Sequence, residues 1–286
     1  MTNNDIQTTM KHFKSCEWVN AHLDELTLLD AGIVKAGEPG PYLPPAVIKH
    51  ARRFDFGTAF ADTTSQLNNT LCSPSQFEAA AQLLGLNQTD TIIVYDVQGL
   101  YASARALWMF KAMGFEDIYI LDGGLTRWMS LGFPVQPNYS EVVKQGNFKV
   151  SYQTGYFIDC HQVLSVIDND SHVILDARSP KRFTGEEAEP RAGMRSGHIP
   201  SSQNLHYAKL SQADGRVQPI DVLHTLFADH ADKDKTLFFS CGSGVTACAL
   251  AVAASECGYT SLSVYDGSWN EWGGDPWLPI TTGVLS

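Results

Sequence analysis

The residues best suited to covalent chemistry lie in Cys241-Gly-Ser-Gly-Val-Thr-Ala247. The stretch before it, Thr236-Leu-Phe-Phe-Ser240, is β-branched, aromatic and apolar and reads as a buried strand; a small-residue helix begins near Val245. Cys241 therefore belongs to a strand-to-helix turn. In such a turn successive backbone N–H groups converge on one point and the helix N-terminus adds positive potential, so an anion is held without any charged side chain. The same field lowers a thiol pKa and stabilises a persulfide, which makes Cys241 a candidate nucleophile; a small buried cysteine at a strand end is the alternative. Gly242 and Gly244 let the backbone curl around the sulfur, and Ser243 brings a hydroxyl that can donate to a departing oxygen or thiolate.

The elements that must position this loop come in an alternating series. Residues 14–25 place Cys16, Val19 and Leu23 on one helical face, and residues 26–30 read as a short buried strand. Residues 39–45 are a Pro/Gly-rich loop, and 46–55 a polar irregular stretch. A helix follows from Ser73-Pro74 to Leu84, then a strand over 91–96, a helix over 101–113 and a strand over 117–121. Strands alternating with helices predict an α/β fold with a parallel sheet covered on both faces. The pattern lapses between residues 134 and 157 and then restarts. Asp96 answers Cys241 (241 − 96 = 145), Asp122-Gly-Gly answers Asp266-Gly-Ser (266 − 122 = 144), and Trp128 answers Trp272 (272 − 128 = 144). The chain is thus a duplicated α/β unit: residues 1–138, a linker over 139–157, and residues 158–286. With Asp96 in place of a cysteine, the first copy cannot form a thiolate, so catalysis is expected only in the second.

Composition narrows the partners. At 286 residues the chain has room for two domains, and a net charge of −11 supplies no basic stripe for nucleic acid or anionic lipid. Residues 1–10 are polar without an apolar signal core, and no later run reaches the length of a membrane span, so a cytoplasmic protein is expected. Cysteines at 16, 72, 160, 241, 248 and 257 have neither metal-ligand spacing nor the density of a disulfide scaffold, and no cofactor or metal is implied. Cys248 reads as core; Cys72, Cys160 and Cys257 are read as core residues or redox sensors.

The loop resembles that of the tandem-domain sulfurtransferases, built from two rhodanese-like domains, and in particular the 3-mercaptopyruvate sulfurtransferases among them. Leu175-Asp-Ala-Arg178, Arg182-Phe183, Glu189-Pro-Arg191, Gly197-His-Ile-Pro200 and Tyr265-Asp-Gly-Ser-Trp269 carry the resemblance over nearly the whole chain. It implies a sulfur donor, a persulfide on Cys241, and a thiol, cyanide or thioredoxin-like acceptor. It also implies that Arg182 and Arg191 hold the donor's carboxylate and carbonyl, a planar fork suited to guanidinium, with Gly242, Gly244, Val245 and Thr246 lining the site. The alternative for Arg182 and Arg191, which lie among Glu186, Glu187 and Glu189, is a solvated ion-pair cluster. Arg178 beside Asp176 is read as a structural pair, and Arg195 is left open. The family usually aligns an Asp and a His of the first domain with the loop serine for proton transfer. Asp55 matches the Asp, but Asn69 stands at the His position, and an amide does not shuttle protons. His50 is read as a solvent-facing helix residue and His198 as a residue that satisfies turn backbone groups.

Three other activities compete. Cysteine phosphatases need Cys-x5-Arg, and position 247 is Ala, which argues against that chemistry. A thiosulfate sulfurtransferase would use the same cysteine, but those relatives typically place basic residues directly after it. A non-enzymatic persulfide carrier would need the loop and no carboxylate site.

Overall fold

The structure is a computed structural model that describes residues 10–35 and 37–283. The N-terminal stretch read as lacking a signal therefore lies outside the described residues, apart from Met10.

Two five-stranded parallel sheets share one topology. The first runs, edge to edge, Phe13–Ser15, Ile118–Asp122, Ile92–Tyr95, Thr27–Asp30 and Arg52–Arg53. The second runs Phe157–Ile158, Leu262–Tyr265, Thr236–Ser240, His172–Asp176 and Gln203–Asn204. Central strands such as Ile92–Tyr95 are buried throughout, as a parallel sheet covered on both faces requires. Val47–Ile48 and Val135–Gln136 form a small antiparallel pair beside the first sheet.

The expected opening helix over 14–25 is corrected: Phe13–Ser15 is an edge strand, and the helix occupies only Cys16–Ala21, capped by the Ser15 hydroxyl. Strands of two or three residues at both sheet edges were invisible to periodicity because they are shorter than one apolar alternation. The helix starting at Ser73-Pro74 is present as Pro74–Leu83, with Ser73 Oγ accepting from the Gln76 N–H and proline in the first turn. The stretch read as a linker holds no helix or strand over residues 137–156, yet it is packed down: Phe148 is buried against Phe77, Phe110 and Phe115.

One helix from each half meets at the centre of the molecule. Ser103–Ala112 is buried at all ten positions, and Thr246–Glu256 from Thr246 to Ala254. Alanine, serine and cysteine dominate the second helix, so the backbones approach closely, and a single apolar core runs through both halves. No helix among the described residues is long and apolar enough to cross a membrane.

Candidate active site

Cys241 follows the strand Thr236–Ser240 directly and is 2% exposed. Its loop is held from behind by the helix Ser268–Trp272. The Trp269 N–H donates to the Cys241 carbonyl and the Asn270 N–H to the Gly242 carbonyl, each at 2.9 Å. Across a planar trans peptide the C=O and the following N–H point in opposite directions. Fixing those two carbonyls outward therefore turns the Gly242 and Ser243 N–H groups to the opposite face of the loop. Ser268 Oγ accepts from the Cys241 and Gly244 N–H groups, both at 3.1 Å, and locks the ends of the turn. The N-terminus of Thr246–Glu256, which has no side-chain cap, adds the positive end of its dipole.

The two loop glycines serve different needs. Gly244 has φ +72°, the left-handed region. Gly242 does not; a Cβ there would lie 3.1 Å from Arg182 Nη2 and 3.8 Å from Arg191 Nη1, so its role is to admit two guanidinium groups. Arg182 is fixed by Glu189, whose Oε1 accepts from Arg182 Nε at 3.1 Å and from Arg178 Nη1 at 2.8 Å, while Oε2 takes Arg182 Nη2. Glu189 is thus spent on the two arginines it orients; Arg182 is ion-paired, and its guanidinium also lines the cavity beside Gly242. Glu186 and Glu187 take no part in it. Arg191 makes no ion pair among the described residues, and its guanidinium faces the cleft.

Arg178 is buried, chelated by Asp176 and stacked 4.2 Å over the Trp269 ring, a structural group. Arg195 binds the carbonyls of Trp272, Gly273, Asp275 and Leu278 away from the cleft. His198 Nδ1 lies 2.8 Å from the Phe183 carbonyl, its ring stacked on Phe183, and burial lowers its pKa.

A cavity of about 200 Å³ in front of Cys241 is lined by Gly242, Ser243, Val245, Thr246, Arg182 and Arg191, with Lys35, Tyr101 and Tyr207 as further walls. It joins a second of about 420 Å³ at Tyr101, Arg191, Ser243 and Val245, bounded by the first-half loop around Asn69. There Asn69 Nδ2 donates to Ser243 Oγ at 3.2 Å. Asp55 differs from expectation. Its carboxylate accepts from the Gly57 N–H and the Thr58 hydroxyl and lies 4.0 Å from Arg53, with no bond to Asn69 or Ser243. The run Arg53-Phe-Asp-Phe56 anchors Phe54 and Phe56 in the core, and the turn that follows captures the Asp55 carboxylate. His50 is corrected from helix to turn; it has φ +70° and its ring nitrogen is 3.5 Å from Asp24. Burial pushes the thiols of Cys16 and Cys248 up to about 12, and those of Cys72, Cys160 and Cys257 up to about 11.

Three contributors escaped the sequence reading. Ser268 lies inside Tyr265-Asp-Gly-Ser-Trp269, a motif that by itself assigns the serine no role. Lys35 lies in a loop with no pattern. Arg105 did leave a signal: a lone charge in the apolar run Ala104 to Phe110.

Comparison with known proteins agrees with this geometry. The Rhodanese-like domain family matches residues 15–131 and again 159–275. A mitochondrial thiosulfate/3-mercaptopyruvate sulfurtransferase 1 from Arabidopsis thaliana is 32% identical, over 96% of this chain and 79% of its own. The 3-mercaptopyruvate sulfurtransferase of Escherichia coli strain K12 is also 32% identical, over 94% and 97%. The crystal structure of SseA from Escherichia coli superposes with a TM-score of 0.82 at 30% identity, over 91% of this chain and 99% of that one. With one such domain around each sheet, this chain belongs to the rhodanese-like sulfurtransferase family as a tandem two-domain member.

Proposed function

We propose that this chain transfers sulfur from 3-mercaptopyruvate, through a persulfide on Cys241, to a thiol or cyanide acceptor, with residues 1–138 as a supporting unit joined by residues 139–157 to the catalytic unit. The observation that carries the reading is the pair of guanidinium groups against Gly242, one oriented by Glu189 and one without an ion-pair partner among the described residues, beside a loop that has no cation from Gly242 to Ala247. A carboxylate next to a carbonyl matches two planar forks, whereas a compact tetrahedral dianion is better met by a cation within the loop itself.

The chemistry is ping-pong. The Cys241 thiolate attacks the thiol sulfur of the donor, an S–S bond forms, the C–S bond breaks, and the electron pair leaves on carbon as the pyruvate enolate. In this reading the Ser243 hydroxyl, on the cavity wall, donates to the enolate oxygen, and a proton from solvent completes pyruvate. An acceptor thiolate then attacks the outer sulfur and regenerates the Cys241 thiolate. Thiosulfate is the second reading, supported by the donor named for the Arabidopsis relative. Intact mass after incubation with each donor tests the proposal: one added sulfur confined to Cys241, formed more efficiently from 3-mercaptopyruvate, is expected, and no gain from either donor overturns it.

A further inference from the structure

The non-catalytic half sends one charged side chain into the back of the catalytic loop. Arg105, on the fully buried helix Ser103–Ala112, has no exposed side-chain surface, and its guanidinium lies 4.5 Å over the Phe157 ring. Its Nη2 pairs with Asp266 Oδ1 at 2.7 Å and donates to the Asn69 carbonyl at 2.6 Å; its Nη1 donates to the Gly244 carbonyl at 3.2 Å. Asp266 in turn accepts from the Leu71 N–H at 2.8 Å. One guanidinium therefore ties together the loop carrying Asn69, the loop carrying Cys241, and the end of the strand Leu262–Tyr265.

The consequence follows from the peptide plane. The carbonyls of Cys241 and Gly242 are turned outward by N–H groups of their own domain, but the Gly244 carbonyl has no such backbone partner among the described residues; it accepts from the weakly donating Cys248 thiol and from Arg105 Nη1, each at 3.2 Å, and Arg105 is the charged group of the two. Holding that carbonyl outward aims the Val245 N–H at the sulfur side of the loop. Holding the Asn69 carbonyl, in a residue with φ +64°, keeps the Asn69 amide on Ser243 Oγ. Because an amide N–H only donates, Ser243 accepts from Asn69 and its own proton is left to face the cleft. We infer that Arg105 is a positioning residue for the reaction at Cys241: it acts through the Gly244 and Asn69 carbonyls to aim the loop N–H groups and the Ser243 hydroxyl. This rests on the proposed sulfur transfer for its catalytic meaning, although its effect on the Cys241 thiolate does not depend on the donor.

Two readouts on the full-length protein test it. The first is the rate of Cys241 alkylation by iodoacetamide near neutral pH, followed by peptide mass; the second is the single-turnover rate of persulfide formation from 3-mercaptopyruvate against donor concentration. Arg105→Met and Arg105→Lys are expected to slow alkylation, and to lower the maximal single-turnover rate, by about tenfold per folded molecule, with half-saturation by donor unchanged because Arg182 and Arg191 are untouched. Asp266→Asn breaks the same buried ion pair yet leaves both carbonyl bonds to Arg105, and is expected to stay within about twofold of wild type in both rates while losing comparable stability. If Arg105→Met does not fold, Arg105→Lys decides, since one ammonium cannot span both carbonyls and Asp266 as the fork does. Wild-type alkylation rates in the Arg105 variants overturn the inference, as does an equal rate loss in Asp266→Asn. A wild-type protein that gains no sulfur from 3-mercaptopyruvate overturns the proposed function instead, and the alkylation rates still decide the role of Arg105.

Discussion

The loop after Ile92–Tyr95 and the loop after Thr236–Ser240 occupy the same place in their sheets, and both hold an anion or its precursor. In the first, the Asp96 carboxylate accepts five backbone N–H groups: Gln98 and Gly99 at 2.7 Å, Ala102 at 2.8 Å, and Tyr101 and Ser103 at 2.9 Å. The same outward carbonyl bonds are present, from Leu125 N–H to Asp96 and from Thr126 N–H to Val97, matching Trp269 to Cys241 and Asn270 to Gly242. The backbone cradle is thus an anion site whether or not chemistry occurs there. What separates the copies is the anion and the wall. Where the second copy has Arg178, two residues after Asp176, the first has Gly32, two residues after Asp30. A Cβ on Gly32 would fall 2.1 Å from the Tyr42 ring. Tyr42 and Tyr139 donate to Asp30, so phenols fill the space that the arginine and glutamate network fills in the other copy.

The largest effect expected is at the nucleophile. Cys241→Ser should abolish persulfide formation while leaving the fold intact, because a hydroxyl cannot carry the outer sulfur. Adding Asp96→Cys to that variant should restore nothing, since the first copy offers a cradle without a guanidinium pair. Sulfur loading at position 96 in the double variant would break the comparison. Next come the two cleft arginines proposed to hold the donor. Arg191→Ala and Arg182→Ala are each expected to lower kcat/KM for 3-mercaptopyruvate by about 2 to 4 kcal/mol in transition-state terms, and Arg182→Ala also strips Glu189 of a partner. Steady-state rates with both donors check this; unchanged kcat/KM for 3-mercaptopyruvate in both variants would remove the substrate assignment.

The loop around Asp96 should matter for stability instead. Asp96→Asn keeps one acceptor oxygen and replaces the other by a donor that faces N–H groups. A cost of about 2 to 3 kcal/mol in urea unfolding is expected, within the range for charge-assisted bonds and stranded donors. Loss of sulfur transfer per folded molecule in this variant would mean that the first cradle does more than hold its domain together.

Much of this contrast was legible beforehand, and the rest was lost for identifiable reasons. The offsets that pair Asp96 with Cys241 and Asp122 with Asp266 revealed the duplication, because a strand-to-helix turn demands the same small residues in each copy. The contact between Asn69 and Ser243 was signalled only by the family resemblance, which sets residue 69 beside the loop serine. The idle carboxylate of Asp55 did not, because its fate depends on the local turn that offers the Gly57 N–H and the Thr58 hydroxyl. Nor did the clamp by Arg105, since nothing in the order of residues shows which carbonyl of a distant loop a buried guanidinium will meet.

The smallest effect sharpens the comparison at a second pair of carboxylates. Asp266 has Arg105 at 2.7 Å; Asp122, its counterpart 144 residues earlier, has no such partner among the described residues, and the position answering Arg105 in the second copy (105 + 145 = 250) is the buried Leu250. Asp122 accepts the Val217 N–H at 2.8 Å, but burial outweighs that bond and the more distant Arg216 and Arg127, and its pKa is raised to about 6. The folded protein therefore binds this proton more tightly than the unfolded chain. Between the ordinary carboxylate range and about 6 stability falls as pH rises, and above that the penalty is complete. Asp122→Asn preserves an acceptor for Val217 and removes the charge, so it should stabilise the protein above that pH by about 1 kcal/mol after allowance for partial exposure. Below the ordinary carboxylate range the gain should vanish, because both states of the wild type are then protonated. Denaturant unfolding on either side of the window measures it, and a gain of equal size at both pH values would show that shape, not charge, separates the two aspartates.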